Sequence, residues 1–517
     1  MSRTENAVKN LSWGWISKIL GLVLSFVSRT IFIQFLGKTY LGVNGLYSEI
    51  LSMLSFAELG FGTALNFAMY KPVAENDQEK VSKLLTFYRK IYSIIALMIA
   101  TLGIILIPFL QYIVKGADQL TLFDLRLFFV IYLGNTIVTY FVSFKYSYVN
   151  ALQKNYIVTN FDAIVNFVVV TIQTVVIICT RNFLAYLITH FLLISLSKLL
   201  ISIYLNKRYP ILKQKPTTEL TKEEKKPIYR DVKGLIIHQF SSVAVHSTDN
   251  IIISSLTGLG VVAVGLISNY NLIINAVLGF VTIIFSSVTS GFGNVVASSS
   301  VENYHKAFKD MNFINFWIYG FCSIAFFVLV PPFITLWIGE EFLIDKMCFL
   351  LIVINCYLLG QSTVYNNARI AIGNFDKDKW ISLAQAIINL VVSVICAKLF
   401  GLIGVYIGTI LSRLWIVFLR PMKTYKLMFG TSSMEYYKKM MIYAFVVAMS
   451  GYSTYLITNL ILKNVNILTF VVATIIVAVI PNVIFFAVFS RTMEFKNLKS
   501  RILSLMRRRT KNEKSIG

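Results

Sequence analysis

Lys18, Ser25 and Arg29 stand seven and four residues apart, so on a helix they share one face. The stretch around Arg29, "LVLSFVSRTIFIQFLG" (22–37), is apolar enough to cross a bilayer. A guanidinium inside hydrocarbon costs at least ~2.5 kcal/mol. Three arrangements offset that cost. Glu49 is a candidate ion-pair partner or gate, because counting seven residues from the helix ends on either side of "GKTY" brings it to the depth of Arg29. Snorkelling is the second, since Arg29 sits about 10 Å from the outer end of its span. The third is a wet cavity holding an anion. Lys198, in the sixth apolar run, reaches a depth comparable to Lys18, whereas the acids Glu58 and Asp162 lie nearer the cytosolic edge. Arg29, Lys18 and Lys198 therefore form a candidate cationic site, and guanidinium is well shaped for phosphate oxygens.

In the second half of the chain the ionisable candidates are Asp249 and Arg413. An intramembrane carboxylate suits a coupling sodium ion or a proton, and Asp249 equally suits a pair with Arg413, although their depths differ by about two helical turns. Gln385 and Asn389 offer neutral oxygens for the same ion, or serve packing, as amides in membrane bundles commonly do. Neither His238 and His246 nor the five cysteines show metal-ligand spacing, so no metal or other cofactor is expected. The phosphate-loop pattern G-x-x-x-x-G-K-[ST] is absent, so the chain itself does not hydrolyse ATP.

These residues must be positioned by membrane helices. The 517 residues are 56% hydrophobic, with a mean hydropathy of +0.71 and 14% charged residues, well below the roughly one quarter of soluble chains. Fourteen apolar runs are long enough to span: about 11–36, 41–69, 84–110, 122–144, 157–179, 183–205, 234–256, 262–290, 311–338, 346–370, 380–399, 402–419, 439–459 and 466–490. The first lacks a small-residue cleavage site and reads as a retained helix. Of 48 Lys and Arg residues, 37 fall in alternate segments on the side of the N-terminus, seven on the other side and four within spans. The positive-inside rule then places both termini in the cytoplasm. The net charge of +24 is mostly this topology signal, which argues against nucleic acid as a partner. The 206–233 loop and the tail "MRRRTKNEK" are suited to anionic lipid head groups.

An internal repeat appears at an offset of 220: "VNGLYS" (43–48) aligns with "AVGLIS" (263–268), Tyr186 with Tyr406 and Thr189 with Thr409. The expected fold is all-α and integral to the membrane, with two pseudo-symmetric six-helix bundles, 1–205 and 234–420. A basic cytoplasmic linker, 206–233, joins them; two further helices, 421–490, and a basic cytoplasmic tail, 491–517, follow. A parallel repeat of this kind implies a central cavity.

The segment "YLGVNGLYSEILSMLSFAELGFGTALNFAMYKPVAENDQEKVSKLLTFYRKIY" (40–92), with "NLVVSVICAKLFGLIGVYIGTILS" (389–412), resembles the polysaccharide repeat-unit flippases of bacteria. These are the Wzx-like branch of the multidrug/oligosaccharidyl-lipid/polysaccharide exporter superfamily. The resemblance implies a transporter, not an enzyme, of the bacterial cytoplasmic membrane. Its substrate would be an oligosaccharide on undecaprenyl pyrophosphate, flipped by alternating access for capsule, exopolysaccharide or teichoic-type polymers. It also implies polymerase and other polysaccharide-assembly proteins as partners, pyrophosphate recognition by Arg29 and Lys18, and a coupling cation at Asp249. The carboxylate that relatives carry in span 11 is replaced here by Gln385 and Asn389. A cation-coupled multidrug exporter of the same superfamily is the alternative, and a cavity rich in Lys and Arg would repel its cationic drugs. A glycan polymerase would need a large outer loop, and every outer loop here is short.

Overall fold

The fold was read from a computed structural model, which describes residues 3–214, 216–298, 300–372 and 379–500. For residues 3–18 and 286–298, and at scattered positions in 56–63, 231–246, 284 and 369–372, it describes the backbone alone. The side chains of Lys18, His238 and His246, and the tail beyond 500, therefore lie outside the described residues. Every regular element among the described residues is a helix. Contacts gather the chain into two compact units, Met1–Ser268 and Asn269–Gly517. The sequence repeat divides the chain earlier: it counts the helix after the basic linker as the first span of the second bundle, whereas the contacts assign that helix to the first unit.

The first unit contains α1 (Arg3–Leu54), α2 (Phe56–Ala74), α3 (Gln78–Leu106), the single turn α4 (Leu110–Ile113), α5 (Leu122–Ala151), α6 (Tyr156–Thr180), α7 (Phe183–Arg208) and α8 (Lys222–Leu256). It ends within α9 (Val261–Ser298). Helix starts carry their own caps. Thr121 with Asp124 and Thr221 with Glu224 form reciprocal capping boxes, and the Asp77 side chain accepts from Lys80 N–H. The second unit continues α9 and adds α10 (Val301–Ile338), α11 (Lys346–Gln361), α12 (Thr363–Ile372), α13 (Lys379–Met428), α14 (Met434–Ile461) and α15 (Ile467–Phe489). Here α14 and α15 dock on α10 through an aromatic seam. Phe316 stacks on Tyr443 at 4.1 Å and meets Phe485 and Phe489, while Trp317 Nε1 donates to Asn482 Oδ1 at 2.8 Å.

Among the described residues, eleven helices are long and apolar enough to cross a membrane. Two of them, α1 and α13, each hold a break at a glycine, and the apolar end of α8 carries a further run, so the count is consistent with fourteen spans. The break in α1 is at Gly37 (φ +80°, ψ −178°). Tyr132 stands beside Arg29 and also donates to Asn44 Oδ1; Phe183 touches both Phe32 and Tyr40. Residues before and after Gly37 thus reach the same neighbours, so the chain folds back there. In α13, Asn389 Nδ2 donates to Thr409 Oγ1 and Ser393 Oγ to Val405 O, both at 3.3 Å, which makes the same fold-back around Gly401 (φ +58°, ψ −132°).

At the repeat offset of 220, Gly401 corresponds to Arg181, which also has a positive φ (51°) between α6 and α7, though with a different ψ (30°). Ser393 corresponds to Gln173, whose Nε2 donates across that earlier hairpin to Tyr186 O.

Gly37 has the cleanest test of backbone cost. A Cβ there meets nothing within 4 Å, so any loss on substitution is conformational rather than steric. Gly37→Ala should destabilise the purified protein by roughly 1–2 kcal/mol. Gly21→Ala, in open space inside the same helix and at negative φ, should not lower the thermal midpoint.

Candidate functional site

Arg29 is placed by two backbone features. The fold-back at Gly37 sets its level, and α9 brings a partner. At the start of α9 the helices approach so closely that a Cβ on Gly265 would stand 2.5 Å from Lys38 O and 3.0 Å from Gly42 N. Only glycine permits that approach. One turn further on, Ser268 Oγ accepts from Arg29 Nη1 at 3.0 Å and donates to Gly265 O at 2.7 Å. The two repeated sequence motifs thus meet in the first unit, the second supplying the hydroxyl for Arg29.

Around the guanidinium stand Tyr132 of α5 and Tyr186 of α7. Tyr186 packs on Phe183 (5.8 Å, stacked) and edge-on to Phe32 (5.4 Å). Behind it, buried Gln173 donates to Tyr186 O, and Gln173 Oε1 lies 3.3 Å from His190 Nδ1. No carboxylate among the described residues lies within salt-bridge distance of Arg29. Among the described residues its hydrogen bond is to a neutral hydroxyl. A guanidinium carries five N–H donors in a planar fork, so this arrangement retains donors for a bidentate oxyanion such as a phosphoryl group.

Glu49 is not brought to Arg29. The sequence count assumed a four-residue connection, but Gly37 alone makes the turn. In the register fixed by Tyr132, Arg29 is level with Asn44, and Glu49 lies about 7 Å further along the helix. Its carboxylate faces Ser247 of α8, two residues before half-buried Asp249.

Lys198 is also placed differently from the cationic-cavity expectation. Its Nζ pairs with Asp162 Oδ1 at 3.0 Å and donates to Tyr146 Oη at 3.1 Å, so its charge is neutralised locally. Asp162 was expected nearer the edge, but α6 and α7 are adjacent antiparallel helices whose ends face each other. Lys145, assigned by sequence to an inner loop, instead sits buried inside α5, which continues to Ala151.

In the second unit, Asn389 is fully buried and bonds the two arms of α13 through Thr409, the packing role of an intramembrane amide. The same register sets half-buried Gln385 level with Arg413, which is buried. Sequence reasoning did not single out Tyr132, Gln173, His190 or Ser268 for this site. Tyr186 was visible only as a repeat partner of Tyr406, and Ser268 only as the last residue of the second repeat motif.

Residues 7–290 match the profile of a family described as "Polysaccharide biosynthesis protein". A comparison with curated proteins returned no match. Among solved structures, the chain is similar to the lipid II flippase MurJ in an inward closed conformation (14% identity, 92% of this chain and 98% of that one, TM-score 0.66). It is also similar to an inward-facing multidrug resistance MATE family transporter of the MOP superfamily (16%, 78% and 95%, TM-score 0.61). A further similarity is to a mutant of the Vibrio cholerae MATE transporter VcmN (14%, 82% and 98%, TM-score 0.53). At these identities the structural likeness shows the fold alone.

Two double-mutant cycles separate the geometries. Asp162→Asn and Lys198→Met should each destabilise the purified protein, and the double variant should recover part of the loss, with a coupling of about 1–3 kcal/mol. Arg29→Gln and Glu49→Gln should combine additively within about 0.5 kcal/mol. A large coupling between Arg29 and Glu49 in thermal unfolding would show that the two carry an ion pair after all.

Proposed function

The chain belongs to the polysaccharide biosynthesis protein family, and from that premise we propose that it is a flippase for lipid-linked oligosaccharides. The substrate is a repeat unit on undecaprenyl pyrophosphate, taken up at the cytoplasmic leaflet and released at the outer one for a surface polysaccharide such as capsule, exopolysaccharide or a teichoic-type polymer. The observation that carries the reading is Arg29, held within a membrane helix by a serine hydroxyl and two tyrosines rather than by a carboxylate. In this reading the diphosphate replaces Ser268 as the principal partner of the guanidinium. Lys18 lies eleven residues away on the face that it shares with Arg29 and joins it there. The aromatic wall of Phe32, Phe183 and Tyr186 gives the sugar portion flat apolar surfaces and a hydroxyl.

Alternating access then moves the charged head group while the prenyl chain stays in lipid. Energy enters through Asp249 by a proton or a sodium ion, with Gln385 and Asn389 as the amide oxygens of the second unit and Arg413 as its cavity charge. Both termini lie in the cytoplasm of a bacterial cell, and the polymerase and assembly proteins take the product. The solved MATE transporters favour one other reading, cation-coupled multidrug export, and Arg29 opposes it by repelling cationic drugs.

Deletion of the gene in its host should abolish the surface glycan and leave complete undecaprenyl-linked repeat units in the membrane, measured by mass spectrometry of extracted lipid. Complementation with Arg29→Gln should restore at most about one tenth of the glycan, the cost of one charge-assisted hydrogen bond, and Arg29→Lys an intermediate amount. Unchanged glycan and lipid intermediates, with raised sensitivity to cationic drugs, would transfer the assignment to drug export.

A further inference from the structure

The second unit holds a groove lined by none of the residues that the transport reading uses. There α11 and α14 both pack on α10. The space between them is about 570 Å³, within the roughly 300–1,000 Å³ of ligand pockets. Ile324 and Phe327 of α10 form its floor, and Leu350, Ile354 and Leu358 form one stripe on α11. Opposite, Ala444, Ala448 and Gly451 share a face of α14, and their small side chains leave the space open. Ile354 is 37% and Tyr452 61% exposed, so the groove opens sideways, toward lipid.

One end of the groove carries a cation. Lys346 of α11 donates from Nζ to Tyr455 Oη of α14, and the ammonium stands 4.1 Å from the centroid of that ring. Tyr455 packs in turn on Phe327 of the floor, with ring centroids 5.5 Å apart. The three helices are thus joined at the level of Lys346. The acids beside it are turned elsewhere. Asp345 caps α11 through Cys348 N–H at 3.0 Å, and the Glu341 carboxylate lies against Gly339. Among the described residues no carboxylate lies within salt-bridge distance of Lys346. It is also the only charged residue among those that line the groove.

An apolar slot with a single cation at its mouth is complementary to an anionic amphiphile. A soluble anion would meet one ammonium and a hydrocarbon wall, and a neutral hydrocarbon would leave the ammonium unused. An ammonium has three N–H donors, so Lys346 can hold Tyr455 and a phosphate together. Along α11 the groove runs from Lys346 to Leu358, about 18 Å. Half of a hydrocarbon core is about 15 Å. One acyl chain of one leaflet matches that depth, with its phosphate at the level of Lys346.

We propose that this groove binds one anionic phospholipid, its phosphate on Lys346 and an acyl chain between α11 and α14. In the proposed topology the lipid comes from the outer leaflet. The site does not depend on what the protein transports.

The test uses the full chain in detergent, titrated with dioleoylphosphatidylglycerol or dioleoylphosphatidylcholine and read by native mass spectrometry. The chain should hold one phosphatidylglycerol about tenfold more tightly than phosphatidylcholine, the effect of one charge-assisted hydrogen bond. Lys346→Gln should erase that preference, and Lys346→Arg should keep it. Ala448→Phe, which fills the groove from an exposed position, should remove the tightly held lipid. Lys346 is exposed, so its two variants keep the proposal falsifiable if Ala448→Phe does not fold. Equal affinity for the two lipids in the unaltered chain, a preference that survives Lys346→Gln, or retention unchanged by Ala448→Phe would each overturn it. Displacement of the phosphatidylglycerol by an equal concentration of undecaprenyl phosphate would also overturn it, by assigning the groove to a prenyl chain.

Discussion

A guanidinium inside a membrane helix, held by neutral partners, sets the terms for the rest of the first unit. Desolvating the charge is expensive, and among the described residues the fold does not supply the cheapest remedy, a carboxylate within salt-bridge distance. It supplies a serine hydroxyl at 3.0 Å and the oxygens of two tyrosines nearby. Keeping those partners in place demands a tight turn at Gly37 and an approach at Gly265 that only glycine tolerates. The aromatic packing of Phe32, Phe183 and Tyr186 then fixes the wall beside the charge. A carboxylate in place of Ser268 would relieve the desolvation cost and would also neutralise the guanidinium.

Lys198 shows the opposite solution in the same unit. It meets Asp162 at 3.0 Å and Tyr146 at 3.1 Å, a local pair that consumes its charge. The difference follows from which helices are neighbours. Lys198 lies on α7, beside α6 and α5, both of which carry complementary groups at its level. Arg29 lies where α1 folds back upon itself and meets the start of α9, where Ser268 accepts from it. Of two cations that look alike in the sequence, one is held in an ion pair and the other by a neutral hydroxyl.

Much of the architecture was legible in the sequence. Apolar runs of about 20 residues set the helices, and the runs at 122–144, 157–179 and 183–205 fall inside α5, α6 and α7. What periodicity does not encode is the length of a turn that a single residue makes. A connection written as "GKTY" reads as four residues, but only Gly37 leaves the helix, and that difference separates Glu49 from Arg29. Helix ends were blurred for a related reason. Lys145 reads as the first residue of a polar loop, yet α5 runs on to Ala151 and buries it, because Ser202 on α7 can accept its proton donors. Ser268, Tyr132 and Gln173 were beyond sequence reasoning because neutral polar residues are common in membrane helices, and their value depends on which charge they face.

The two fold-backs and the repeated hairpin carry the argument one step further. Arg181 and Gly401 both stand at positive φ at equivalent places in the repeat, and each hairpin is tied by a polar side chain that donates to the backbone across it: Gln173 in one, Ser393 in the other. Register in such a hairpin is fixed by its turn, so every side chain along the two arms is assigned its opposite number. In α1 this sets Arg29 level with Asn44; in α13 it sets Arg413 level with Gln385. Both hairpins thus place an arginine level with a neutral amide. A carboxamide can accept a hydrogen bond from guanidinium without cancelling its charge. Substituting a carboxylate at either amide position would therefore change the electrostatics of the site while leaving its shape almost intact.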